Sequence, residues 1–317
     1  MGRYENCEGN DMRTEIKDAH ERIAGYVRTT PIMHLEAGAW GLDAHVVLKL
    51  EQLQHTGSFK PRGAFNRILS HEVPEVGVIA ASGGNHGVAV AYAARQLGYR
   101  AEIFVPEVCP PVKVQRLGDY GAQVYLVGAT YAEALLASQA RAVETGALVI
   151  HAYDQPEVVA GQGTLGCEFA RQVPNLDTVL VAVGGGGLIA GVAAWFEGNV
   201  RVIGVEPISA ASMAAALQAG EPVDFNVGGV AADSLGARRV GTLAFDYVKR
   251  YVDRVVVVQD ESIRAAQRVL WNDLRLVAEP GGATAAAALI SGAYQPAPGE
   301  RVGVVICGGN TDPGQVV

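Results

Sequence analysis

Thr178-Val179-Leu180-Val181-Ala182-Val183-Gly184-Gly185-Gly186-Gly187-Leu188-Ile189-Ala190-Gly191-Val192-Ala193-Ala194-Trp195-Phe196 is the stretch on which the fold turns. Its 19 residues carry no charge, which is the length of a membrane span. Glycine inside a helix costs about 1 kcal/mol relative to alanine, so four in a row make a continuous span unfavourable. The run therefore reads as a strand, a glycine turn and an alanine-rich helix.

The same rhythm recurs on both sides of it. Strands are expected at 45–50, 76–80, 101–105, 123–127, 148–151, 178–183, 200–205, 254–258 and 302–307. Helices are expected at 14–27, 58–69, 87–97, 112–118, 131–145, 157–172, 188–197, 210–219, 262–273 and 282–290. Most of the strands are uniformly apolar, as strands covered on both faces of a parallel sheet should be. Nine exceed one comfortable sheet, and 317 residues allow about two domains. The expected class is α/β, with two open parallel-sheet domains and a ligand site in the cleft between them.

Composition narrows the function classes. With 25 Lys plus Arg against 33 Asp plus Glu, the net charge of −8 offers no basic face to a nucleic acid. Hydrophobic residues make up 49% and charged ones 18%, which argues against disorder. Cys7, Cys109, Cys167 and Cys307 form no C-x-x-C pair, so neither a disulfide framework nor a zinc knuckle is indicated and a reducing compartment is expected. The first residues carry Glu5, Glu8, Asp11 and Glu15 without an apolar core, and Asn6 stands where a myristoylation signal wants Ser or Thr. A cytoplasmic protein without a membrane anchor is the expectation.

The chemistry gathers at turns. In Gln54-His55-Thr56-Gly57-Ser58-Phe59-Lys60-Pro61-Arg62-Gly63, Pro61 suits a first helical position and should push Lys60 out of helical dihedrals. The amine would then meet the positive end of a helix, which disfavours the ammonium. A neutral amine is what Schiff-base chemistry needs. Ala81-Ser82-Gly83-Gly84-Asn85-His86-Gly87 follows a strand and opens a helix, a backbone nest suited to a carboxylate. Gly184 to Gly187 form a second such nest, open enough for a phosphate, and Cys307-Gly308-Gly309-Asn310 ends a third strand.

Taken in order, these segments resemble the threonine dehydratase and serine racemase branch of the fold type II, tryptophan synthase β-like, pyridoxal-phosphate enzymes. Lys49-Leu50-Glu51, Ala160-Gly161-Gln162-Gly163-Thr164, Gly204-Val205-Glu206-Pro207 and Ala278-Glu279-Pro280 extend the likeness over nearly the whole chain. The resemblance implies a larger cofactor domain, 1–52 with 147–317, and a smaller α/β domain, 53–146; with seven residues after Asn310, no C-terminal regulatory domain is expected. It implies that Lys60 forms the imine with pyridoxal 5'-phosphate, that Phe59 packs on the ring and that Asn85 bonds the ring hydroxyl. Gly184, Gly185, Gly186 and Gly187 would cradle the phosphate, Cys307 would face the ring nitrogen, and Glu279 would lie near the ring. Ser82, Gly83, Gly84, Asn85 and His86 would take the substrate carboxylate, and Ser234 would line the substrate pocket.

The implied reaction is loss of water and ammonia from a β-hydroxy amino acid, L-threonine or L-serine, to a 2-oxo acid. Phenylserine and 3-hydroxyaspartate stay open as bulkier or acidic alternatives. Racemases of this branch carry a serine where Gly83 stands, and glycine has no proton to give. A magnesium or calcium site is matched at Glu206 and Ala210, but Ser212 replaces its aspartate, which weakens a hard-cation site. Members of the family it resembles are commonly homodimers, which makes one the expectation here. Two readings from other classes are an NAD-dependent oxidoreductase, from Gly185-x-Gly187-x-x-Ala190 with Glu206 following, and a non-catalytic ligand sensor. The first leaves the lysine and asparagine segments unexplained. His20, His34, His45, His55, His71 and His151 show no ligand spacing and read as surface or core.

Overall fold

The computed structural model describes residues 11–316; Glu5, Asn6, Cys7 and Glu8 lie outside them. The chain alternates helices and strands almost throughout. Its first half runs α1 (Met12–Ile23), β1 (Ile32–His34), β2 (Ala44–Leu50), α2 (Pro61–Leu69), β3 (Val78–Ala81), α3 (Asn85–Gln96), β4 (Ala101–Val105), α4 (Pro111–Asp119), β5 (Gln123–Leu126), α5 (Tyr131–Thr145) and β6 (Leu148–Val149). The second half runs α6 (Pro156–Gln172), β7 (Thr178–Ala182), α7 (Gly187–Phe196), β8 (Arg201–Pro207), α8 (Ser212–Ala219), α9 (Ala232–Leu235), α10 (Thr242–Tyr251), β9 (Val252–Val258), α11 (Asp260–Leu274), α12 (Pro280–Ile290) and β10 (Glu300–Ile306).

Two sheets result, as the strand count required. The larger has the order β1-β2-β10-β7-β8-β9 and the smaller β5-β4-β3-β6. Every pairing is parallel except β1 with β2. β7 is buried at each of its positions, Thr178 to Ala182, and all of α7 is buried too, so the uncharged run is a core strand and core helix. Among the described residues no helix is long and apolar enough to cross a membrane.

One expected boundary shifts, and two elements were not anticipated. β6 pairs with β3 in the smaller sheet, so the chain returns to the larger unit after residue 149 rather than at 147. β1, only three residues on a sheet edge, carries too little pattern to be read from sequence. α10 lacks a local start signal because its cap comes from afar. The Asp154 carboxylate accepts the backbone N–H groups of Thr242, at 3.1 Å, and Leu243, at 3.0 Å.

Candidate active site

Each sheet has one point where the strand order reverses, and ligands in open α/β sheets collect there. In the larger sheet the reversal falls at β7, flanked by β8 and β10, so the turns at 183–187 and 307–310 open side by side. In the smaller sheet it falls at β3, flanked by β4 and β6, which brings 82–87 next to 150–154. His86 Nε2 lies 2.9 Å from the Ile150 carbonyl and ties those two turns together. Because a carbonyl only accepts, that nitrogen carries the proton. The two reversal points face one cleft.

A cavity in that cleft is lined by Phe59, Lys60, Asn85, Tyr153, Gly184 to Gly187, Ser234, Leu235, Glu279 and Cys307, among others. Lys60 reaches it from the start of α2, and its Nζ donates to the Ala152 carbonyl at 2.8 Å. Burial pulls its pKa from 10.5 down to about 8, with Cys307 and Glu279 opposing. The shift has the direction read from the sequence but a different leading cause: desolvation rather than the helix end. The backbone expectation fails as well. Lys60 has φ −55° and ψ −33°, squarely helical, in spite of Pro61. Tertiary bonds override the local preference, since Phe59 N–H donates to the Cys307 carbonyl at 3.1 Å and Ser58 bridges to Gly308; the Lys60 carbonyl then accepts the first helical bond, from Ala64 at 3.2 Å.

Asn85, at the first position of α3, is fixed from both sides. Its Nδ2 donates to Glu279 Oε1 at 2.6 Å, and its Oδ1 accepts from Asn310 Nδ2 at 2.6 Å. Asn310 also donates to the Thr56 carbonyl at 2.8 Å and accepts from Arg116 at 2.7 Å. Thr56 itself sits in the left-handed region at φ 63°, a strained conformation for a β-branched residue, which those bonds hold in place. Burial raises the Glu279 carboxyl to about 7 and pushes the Cys307 thiol well above its ordinary value. The thiol donates to the Gly281 carbonyl at 3.4 Å.

The glycine turn fits a phosphate. Gly186 has φ +93°, and a side chain at Gly185 or Gly187 would run into Tyr153. Among the described residues, the N–H groups of Gly184 to Gly187 donate to no turn, loop or cap carbonyl, and Gly187 opens α7. They are orphan donors at the positive end of a buried helix, a neutral cradle for a dianion. With a half-buried, weakly basic lysine across the cavity, the residues present suit pyridoxal phosphate.

Other expected residues fall elsewhere. Gly83 and Gly84 line an adjoining cavity with Lys113, Arg116, Asp233 and Asn310, and Asn85 and Glu279 border both spaces. Ser82 lines neither; its Oγ accepts from Gly84 N–H at 3.2 Å and shapes the loop. His86 is buried, and desolvation followed by Lys60 lowers its pKa to about 3, so its ring is neutral. Glu206 and Ala210 also line neither cavity. Both Glu206 oxygens accept backbone N–H groups, from Met213 and Ala214 at 2.8 Å each, which caps α8. Among the described residues no cluster of three His, Cys, Asp or Glu is placed to hold a metal.

Sequence reasoning passed over Tyr153 and the Lys113–Asp233 ion pair that links the two units, and it read His151 only as surface or core. His151 Nδ1 accepts from the N–H groups of Tyr153 and Asp154, at 3.3 and 2.9 Å, and so shapes the turn that carries the Lys60 acceptor. The carboxyl end of β6 was the available signal, since parallel strands present their ligands there.

Comparison with known proteins agrees with this geometry. A family model described as pyridoxal-phosphate dependent enzyme matches residues 23–308. The L-threonine ammonia-lyase of Geobacter sulfurreducens is 40% identical over 304 residues, covering 94% of this chain and 75% of that protein. The crystal structure of a T.th. threonine deaminase superposes with a TM-score of 0.88 at 36% identity, covering 94% of this chain and 98% of that one. Maize serine racemase superposes with a TM-score of 0.89 at 34% identity, covering 96% and 94%. The family match spans every strand of both sheets, and the chain belongs to the family of pyridoxal-phosphate dependent enzymes.

Proposed function

We propose that the protein is an ammonia-lyase that converts L-threonine or L-serine to a 2-oxo acid and ammonia. The observation that carries this reading is Lys60, a half-buried amine of pKa about 8 facing an orphan-donor glycine cradle across one cavity. Gly184 to Gly187 would hold the cofactor phosphate, Lys60 its aldehyde carbon, and Phe59, Asn85, Glu279 and Cys307 its ring. When bound, the cofactor supplies the electron sink that acidifies the substrate Cα–H and lets the β-hydroxyl leave.

Everything else falls to the chain. Lys60 is basic enough to take the Cα proton, and its pKa of about 8 leaves a far larger neutral fraction near physiological pH than an ordinary lysine has. The loop 82–86 offers the amino acid carboxylate the N-terminus of α3, whose first N–H groups have no helical partner. The Cys307 thiol, kept neutral by burial, would face the ring nitrogen without a charge, so the ring would be a weaker electron sink than one held there by a carboxylate. That favours prompt loss of a β-substituent over a long-lived carbanion. Ser234 on the cavity wall would touch the substrate side chain.

Relatives of this chain support the substrate class: the Geobacter protein is named an L-threonine ammonia-lyase and the T.th. structure a threonine deaminase. The reading includes a cytoplasmic homodimer, and a magnesium or calcium ion at Glu206 and Ala210 has only weak support because Ser212 stands where a carboxylate would be needed. An assay of 2-oxo acid and ammonia over L-threonine, L-serine, phenylserine and 3-hydroxyaspartate ranks the substrates. Lys60→Ala is expected to lower turnover by roughly 10³-fold or more. Wild-type turnover in that variant, or no ammonia from any of the four, rejects the reading.

A further inference from the structure

Two motifs have no part in the cavity: Lys49-Leu50-Glu51 and Ala160-Gly161-Gln162-Gly163-Thr164. They meet in a cluster of buried charge. Lys49, Glu51 and Arg62 are 0% exposed and Glu168 is 5% exposed, two cations against two anions. Arg62 grips Glu51 with a fork, Nε to Oε2 and NH2 to Oε1, both at 2.8 Å. It also reaches Glu168 Oε2 at 3.1 Å and Thr164 Oγ1 at 3.3 Å. Lys49 closes the ring on Glu168 Oε1 at 2.5 Å, and the Thr30 hydroxyl donates to Glu51 Oε1 at 2.5 Å.

Stability explains such a cluster poorly. Each buried ion costs several kcal/mol in lost hydration, and replacing buried pairs by apolar groups of equal volume is often neutral or stabilising. Direction is what the fork provides, because guanidinium and carboxylate meet in one plane. Arg62 stands two residues past Lys60, in the first turn of α2, and Glu51 stands just past the end of β2 in the larger sheet.

Glycine contacts set the distance. A Cβ on Gly161 of α6 would lie 2.7 Å from the Gly63 Cα of α2, and one on Gly191 of α7 would lie 2.8 Å from the Gly163 Cα of α6. The helices α2, α6 and α7 thus touch backbone to backbone. Lys60 precedes the first of them and the Gly184–Gly187 cradle opens the last.

We propose that Arg62, held by Glu51, is a positioning residue that sets the direction of the Lys60 side chain relative to the glycine cradle. The inference rests on Lys60 being the cofactor lysine. Burial drives the Glu51 carboxyl up, but the Arg62 charge and hydrogen bonds prevail and leave it below its ordinary value, so the fork stays ionised.

The test uses the full chain loaded with pyridoxal phosphate. Arg62→Lys keeps the charge and loses the fork, and Glu51→Gln keeps the shape and loses the charge. For each we expect kcat for L-threonine to fall by about 10²-fold, the loss that follows a displacement near 1 Å, while KM moves less than about threefold. The fraction of chain carrying a borohydride-reduced adduct on Lys60 at fixed cofactor concentration should fall severalfold. Ile79→Val, in the core of the smaller sheet, is the control for lost stability alone and should keep both readouts. A folded Arg62→Lys or Glu51→Gln chain with the wild-type adduct fraction and kcat overturns the proposal. So does failure of both variants to fold, since the cluster is then a folding element. Wild-type chain without a Lys60 adduct instead overturns the parent assignment of Lys60.

Discussion

Gly83 shows how one residue can choose between two reactions of the same cleft. A Cβ at this position would lie 2.9 Å from Cys109 Sγ and 3.5 Å from Val105 Cγ1, so the loop is packed for glycine and presents no hydroxyl. Without a proton donor there, elimination should outrun isomerisation. Chiral analysis of L-serine reactions should find keto acid in large excess over D-serine in the wild type. Gly83→Ser should raise the D-serine share while lowering total turnover, as Cys109 is displaced; D-serine formation by the wild type at the rate of elimination contradicts the argument. The lysine next in importance was only half legible. Its place before a helix is written locally by Pro61, but its αR backbone and lowered pKa come from contacts with residues 307 and 308 and from burial, which no neighbouring residue announces.

At the scale of elements, the glycine turns could be read because each follows an apolar strand and opens a helix, a pattern local to about ten residues. α10 could not, since its capping carboxylate sits 88 residues upstream of Thr242. Glu279, at the N-cap of α12, was read as near the ring, and the structure adds a consequence for pH. Burial raises its folded pKa to about 7, above the ordinary 4.5, so the folded chain binds this proton more tightly than the unfolded one. The stability it contributes is therefore full below pH 4.5 and is lost as pH rises through 7. Glu279→Gln keeps an acceptor for Asn85 and cannot ionise. The unfolding free energy of the cofactor-free wild type relative to this variant should decline over that window by roughly 3 kcal/mol. Parallel pH profiles for the two chains would show that the carboxyl is not desolvated.

Across the whole molecule, two parallel sheets turn their strand-order reversals toward one cleft, and the turns at those reversals supply the lysine's acceptor, the asparagine, the glycine cradle and the thiol. The existence of two sheets was legible from strand count and apolar runs. Their meeting was not, because the Lys113–Asp233 pair and the Asn310 bonds to Asn85 and Thr56 join residues more than a hundred positions apart. The account stands on one covalent partner for the cofactor. The full chain should be saturated with pyridoxal phosphate, reduced with borohydride, digested and mapped by mass spectrometry. The adduct is expected on Lys60 at close to one per chain; an adduct on another lysine, or a saturated chain with none, contradicts it.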